Sequence, residues 1–200
     1  MATSGSKRMN SNKYWNERYQ REDTPWTLNT ISPPIQSFFD NLGKEKIYKI
    51  LIPGAGLGFE AQYLHKLGHE VHIVDISENA IFGFKNKFSE IPVNQIHCES
   101  YFDHIDRYDY IVEQTFFCAL IPDLRESYVK HTRKLLYPKG KLVGLFFDDV
   151  GSFTNPPFRA NRNEYQNLFE QSFHILKLET CYNSTKPRQG NELFFIFEKN

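Results

Sequence analysis

Apolar and polar positions along this chain follow two periods in turn. Ile50, Leu51 and Ile52 form a short continuous apolar run bounded by Pro53 and Gly54, which predicts a strand buried on both faces of a parallel sheet. Helical spacing follows from Phe59 to Leu67 and stops at Gly68, and a second apolar strand, Val71 to Val74, ends on Asp75. Ser77 can cap a further helix running to about Phe88, with Glu78 placed in its first turn. Strands are predicted over Val93 to Cys98 and Tyr110 to Val112, the latter ending at Glu113 and Gln114. Leu124 to Leu136 has helical character, and Pro138, Lys139 and Gly140 predict a turn into a strand over Lys141 to Phe147. Past an irregular loop, Glu164 to Gln171 reads as a helix, followed by strands Ile175 to Cys181 and Leu193 to Glu198. Strands alternating with helices, closed by two strands joined through a loop, predict an α/β domain whose sheet is mostly parallel with one antiparallel member.

The turn after the first strand carries glycines at positions 54, 56 and 58. Glycine lacks a side chain and tolerates positive φ, so such a turn lets a ligand lie against bare backbone at the start of the next helix. The carboxylate of Asp75, at the tip of the neighbouring strand, suits the two hydroxyls of an adenosine ribose, as in open α/β sheets generally. The dinucleotide fingerprint would place its third glycine one residue later, where Phe59 stands, so the pattern is G x G x G and not G x G x x G.

Composition narrows the field. The 200 residues suffice for one core, and 40% hydrophobic with 16% aromatic content excludes a disordered chain. Lys plus Arg equals Asp plus Glu at 24 each, so the footprint of a nucleic-acid binder is missing. Cysteines 98, 118 and 181 are odd in number, widely spaced and without a CxxC pair, which argues against a disulfide framework or zinc site and for a reducing, cytoplasmic setting. The seven histidines, at 65, 69, 72, 97, 104, 131 and 174, show no ligand spacing, and no metal is expected. Residues 1–12 are polar and basic without an apolar core, and read as a disordered leader before one domain over residues 13–200.

Several blocks resemble the thiopurine S-methyltransferase family, including its thiol and halide methyltransferase branch: YWNERY from Tyr14, TPW from Thr24, IPGAGLG from Ile52, EQTFFCAL from Glu113, PDLRESY from Pro122 and PPF from Pro156. The resemblance spans about Lys13 to Lys199. It implies a single-domain, Rossmann-like class I methyltransferase fold with a seven-stranded sheet, and S-adenosyl-L-methionine as cofactor. It also implies cofactor-site roles for Trp15, Trp26, Gly54, Gly56, Asp75, Ser100, Tyr101, Gln114 and Arg125. Relatives often carry aspartate at the Ser100 position and, in plants, tyrosine at the Gln114 position. Arg125 and Gln114 are the candidate catalytic residues, and Arg125 also reads as a solvated helix charge.

Methyl transfer from a sulfonium is an in-line displacement, favoured by a dry aromatic pocket that excludes water and tolerates positive charge. Tyr19, Phe116, Phe117 and Phe158, with Phe146 and Phe153, are the expected pocket walls, although core packing explains any one of them. Asn155 to Phe158 reads NPPF, the tetrapeptide of amino-methyltransferases, but lies beyond the fifth predicted strand instead of the fourth. The favoured reading is therefore a monomeric methyltransferase acting on a small thiol, hydrosulfide, thiopurine or halide, with no nucleic-acid or membrane partner. A NAD-dependent oxidoreductase and a noncatalytic S-adenosylmethionine-binding protein stay open beside it.

Overall fold

In the computed structural model, which describes residues 11–43 and 45–200, seven strands form one sheet in the order β3-β2-β1-β4-β5-β7-β6. The strands are β1 Lys49–Pro53, β2 Glu70–Asp75, β3 Ile96–Cys98, β4 Tyr108–Gln114, β5 Leu136–Phe147, β6 Phe173–Thr180 and β7 Glu192–Lys199. Strands β1 to β5 pair in parallel, and β7 runs antiparallel to both β5 and β6. This is the α/β sheet with one antiparallel member that the pattern predicts. The helices are α1 Asn12–Gln20, α2 Pro33–Asp40, α3 Phe59–Lys66, α4 Glu78–Lys87, α5 Arg125–Leu135 and α6 Arg162–Phe169. None of the described helices is long and apolar enough to cross a membrane.

Side chains leave a strand alternately to its two faces, and the core divides accordingly. Ile50 and Ile52 pack with Ala61, Leu64, Ile81 and Phe84 under α2, α3 and α4. Leu51, between them, faces the other layer with Ile111, Leu142, Tyr128 and Phe169 under α5 and α6. The apolar run Ile50–Ile52 is apolar throughout because both faces are covered.

Three expectations need correction, and one helix carried no expectation. Val93–Gln95 is a short 3₁₀ turn and not strand, since it follows Pro92 and leaves Val93 exposed, so β3 starts only at Ile96. Pro138 to Gly140 does not separate helix from strand: Leu136 already pairs with Tyr108, and the next pair is Tyr110 with Lys141, so these residues bulge out within β5, with Lys139 at φ 63°. Helix α2 was not expected, although Ser32 followed by Pro33 and Pro34 carries the usual start signal; it buries Ile35 and Phe39. The leader expected over residues 1–12 lies outside the described residues as far as residue 10, whereas Ser11 caps α1 through the Tyr14 amide and Asn12 begins the helix.

Phe146, expected in the substrate pocket, lies in the core. Its ring stacks on Tyr165 at 4.2 Å and on Phe195 at 3.9 Å, and it is 3% exposed. Phe146→Ala should therefore cost about 3 to 5 kcal/mol in urea unfolding, with KM of the remaining folded enzyme unchanged. A raised KM without loss of stability would return Phe146 to the pocket.

Candidate active site

The carboxyl ends of β1, β2 and β4 open into a cavity of about 640 Å³. Its wall includes Gly54 from the glycine turn, Asp75 and Ile76 from the tip of β2, Ser100, Tyr101 and Phe102 after β3, and Thr115, Phe116 and Cys118 after β4. Trp15, Arg18, Tyr19 and Trp26 lie across it from α1 and the segment that follows, and Phe147, Pro156, Pro157 and Arg188 complete it.

Asp75 is held in this wall from two sides. One carboxylate oxygen accepts the Gly56 amide at 2.9 Å and the other accepts the Ser77 amide at 2.9 Å. Burial raises its pKa, and these amides oppose the rise. Gly56 stands at φ 54°, and a Cβ there would meet the Tyr19 hydroxyl at 2.5 Å; a Cβ on Gly54, at φ 58°, would run into the Phe116 ring. All three glycines are thus required by aromatic rings seated on bare backbone, Gly58 by that of Phe84.

The covering segment is tied to the same tip of β2. Asn16 Oδ1 accepts the Ser77 hydroxyl at 2.8 Å and the Asn79 amide at 3.1 Å. Trp26 packs edge-on against Trp15 at 5.6 Å and Tyr19 at 5.9 Å, and its carbonyl accepts Arg188 Nη2 at 2.6 Å. Burial and the nearby Asp75 charge push the Tyr19 phenol far up, so it stays protonated.

After β4 the wall is shaped by Glu113, a fully buried acid that the sequence reading passed over. Its Oε1 accepts the amides of Phe116 at 2.7 Å and Phe117 at 2.9 Å, and its Oε2 accepts the Tyr128 hydroxyl at 2.8 Å. These bonds hold Thr115 at φ 61°, a left-handed conformation that a β-branched residue rarely adopts. They give a physical reason for EQTFF: the acid at its start folds the turn that presents Phe116 to the cavity. Cys118 also lines the cavity, but burial drives its thiol well above the usual range and its Sγ donates to the Thr115 carbonyl.

The model of the thiopurine S-methyltransferase family matches residues 10–199. The chain belongs to that family. It is an S-adenosylmethionine-dependent methyltransferase. It is 28% identical to the probable thiol methyltransferase 2 of Arabidopsis thaliana over 96% of this chain and 87% of that protein. It is 23% identical to the thiopurine S-methyltransferase of Acinetobacter baylyi over 90% and 93% of the two chains. Among solved structures it superposes on the 1,6-didemethyltoxoflavin-N1-methyltransferase of Burkholderia thailandensis, bound to S-adenosylhomocysteine, with a TM-score of 0.76, 19% identity and coverage of 94% and 87%. Magnesium protoporphyrin IX methyltransferase from Synechocystis, bound to S-adenosylmethionine, gives a TM-score of 0.72 at 13% identity, covering 100% and 99%. At such identities the likeness is one of fold. Family membership decides against the NAD-dependent oxidoreductase, in agreement with the absent G x G x x G spacing.

This thiopurine S-methyltransferase family member does not bring all the expected residues to the cavity. Trp15, Tyr19, Trp26, Gly54, Asp75, Ser100, Tyr101 and Phe116 line it. Gly56 sits behind it, its amide spent on Asp75. Arg125 turns to the loop beyond β5, donating to the carbonyls of Phe158 at 3.3 Å and Arg159 at 3.0 Å, with its guanidinium over the Phe117 ring. Gln114 lies at the end of β4, its Oε1 buried without a hydrogen-bond partner among the described residues. Phe117 and Phe158, expected as pocket walls, are core residues at 1% and 3% exposure, because the Glu113-bonded turn aims Phe117 inward and the Phe158 amide is held by the Cys118 carbonyl. Phe153 is exposed on the outer loop with Arg159 over its ring. Phe147 and Phe102 supply the aromatic walls instead. Ser100 Oγ accepts the Phe102 amide and the Tyr101 hydroxyl pairs with Thr132, so both polar groups serve the wall itself.

Arg188 was not singled out from the sequence. It is 8% exposed, lines the cavity and pairs with buried Glu192 at 3.2 Å, positions that only the β6–β7 connection brings beside Trp26. A lone arginine between polar residues carries no periodic signal.

Burial raises the Glu113 pKa from 4.5 to about 7, its amide and hydroxyl partners opposing the rise only in part. A carboxyl whose folded pKa lies above its unfolded one stabilises the fold fully below the unfolded pKa and loses that contribution as pH rises through the folded one. Thermal stability should therefore fall between about pH 4.5 and 7 and level off above that, and Glu113→Gln should flatten this fall while keeping the amide acceptor. An unchanged slope in the folded variant would assign the titration to another group.

Proposed function

We propose that this methyltransferase acts on a small polarizable nucleophile that enters the cavity already ionised: a thiolate, hydrosulfide, thiopurine anion or halide. The observation that carries the proposal is the charge inventory of the cavity wall. Among the described residues its one carboxylate, Asp75, is occupied by two backbone amides, no histidine lines it, and its cations are Arg18 and Arg188. An acceptor needing deprotonation inside the cavity would find no free base there. A soft anion needs none; Arg18 is paired with Asp23 at 2.7 Å and Arg188 with Glu192 at 3.2 Å, so they offer it the N–H donors that these partners leave unused.

When bound, the cofactor supplies an electrophilic methyl group on a sulfonium. The chain's own part is to hold it and keep the site dry. The bare backbone at Gly54 admits close approach, and the remaining lone pairs of Asp75 are available to sugar hydroxyls. Tyr101 and Phe102 offer apolar faces to an adenine ring, while Trp15, Tyr19 and Trp26 cover the cavity and exclude water. Arg125 and Gln114, the candidates for catalysis, act from behind the wall in this reading: Arg125 fixes the loop that carries Pro156 and Pro157. The plant relatives bear names that point to thiol and thiocyanate acceptors, which fits a soft, anionic substrate.

The test is release of S-adenosylhomocysteine with hydrosulfide, thiocyanate, iodide, an aromatic thiol and a thiopurine in parallel. Turnover with these and not with amines or alcohols is expected. Arg188→Gln paired with Glu192→Gln, which leaves no buried charge unmatched, should lower kcat/KM for anionic acceptors roughly tenfold, the loss of a charge-assisted contact of about 1.5 kcal/mol. Turnover confined to amines or alcohols would overturn the proposal.

A further inference from the structure

Three histidines that the sequence scatters meet at the β3 edge of the sheet. His72 on β2 and His97 on β3 stack with ring centroids 5.4 Å apart, and His97 packs edge-on against His104 at 4.6 Å. His104 Nδ1 lies 2.7 Å from Glu99 Oε1. Candidate ligand atoms of His97, Glu99 and His104 all lie within 4.8 Å of one another. The expectation of no histidine clustering fails here because β2 and β3 are neighbours in register, with Val74 opposite His97, and the loop after β3 folds His104 back beside them.

We propose that His97, Glu99 and His104 form a binding site for one divalent transition-metal ion of the zinc type, separate from the methyl-transfer cavity. Two imidazoles and a carboxylate are the donor set such ions prefer, whereas magnesium and calcium favour oxygen ligands alone. The surrounding contacts are those that orient metal-binding histidines, whose second ring nitrogen is normally held by a partner. His97 Nε2 lies 3.1 Å from His72 Nδ1, and His72 Nε2 lies 2.9 Å from Glu70 Oε1. His104 Nε2 lies 2.6 Å from the Tyr108 hydroxyl, which in turn has Asp106 Oδ2 at 3.5 Å.

The protons balance by exchange with solvent. With the Glu99 contact in place, His104 carries its proton on Nδ1. Coordination through Nδ1 requires the other neutral tautomer: the Nδ1 proton is released to solvent and one is taken up at Nε2, which then donates to Tyr108, whose own hydroxyl proton turns to Asp106. Ligands at about 2.1 Å from a tetrahedral ion stand roughly 3.4 Å apart, so Glu99 must move away from His104 to admit it. Its side chain is 40% exposed and can swing outward. Between the ligands Glu99 and His104 run Ser100, Tyr101 and Phe102, which line the cavity, so an ion here would clamp that wall.

The full chain, stripped with a chelator and exchanged into cobalt or zinc, tests this. One equivalent of zinc should bind by calorimetry and raise Tm, and cobalt should give the intense visible bands of a low-coordinate site. Glu99→Gln and His97→Asn, at partly exposed positions, should fold normally without metal and weaken binding at least tenfold. His72→Asn should weaken it by roughly 10- to 100-fold, acting through His97. Absence of zinc binding, or equal binding by folded Glu99→Gln and His97→Asn variants, would overturn the proposal.

Discussion

The carboxylate of Asp75 is the joint on which the site depends. It is buried where β2 ends and grips one amide from the glycine turn after β1 and one from the start of α4. Ser77, whose amide it holds, caps α4 through the Ala80 amide and donates a hydrogen bond from its hydroxyl to Asn16 on the covering helix. A single acid therefore fixes three independent pieces of chain around one end of the cavity. Its desolvation is costly, and charge-assisted hydrogen bonds offset that cost.

A second buried acid does comparable work at the end of β4. Glu113 forces the turn at Thr115 and decides that Phe116 faces the cavity while Phe117 enters the core. Adjacent phenylalanines with the same composition thereby acquire opposite roles. The resulting cavity joins apolar rings to two guanidinium groups, each paired with a carboxylate, and among the described residues contains no unoccupied base. That combination suits an enzyme whose acceptor brings its own negative charge.

The parallel βαβ core was legible because a strand buried on both faces is apolar throughout, and because glycine and Asp75 punctuate it at fixed places. Ser77 as a cap and the antiparallel strand near the carboxyl end were readable for the same local reasons. The aromatic walls were not. Phe146, Phe117 and Phe158 have the composition of a pocket, but their direction depends on tertiary contacts with Tyr165, Glu113 and Cys118. Arg188 and the His97–His104 cluster were hidden because sheet neighbours and loop returns, rather than sequence spacing, bring their partners together.

The organising role of Asp75 is tested most directly by titrating S-adenosylhomocysteine into the wild-type chain and the Asp75→Asn variant. Folding of the variant is checked separately by circular dichroism. Asparagine keeps the shape but offers one acceptor oxygen in place of two charged ones, so affinity should weaken by roughly 1 to 3 kcal/mol. Unchanged affinity in a folded variant would contradict the account.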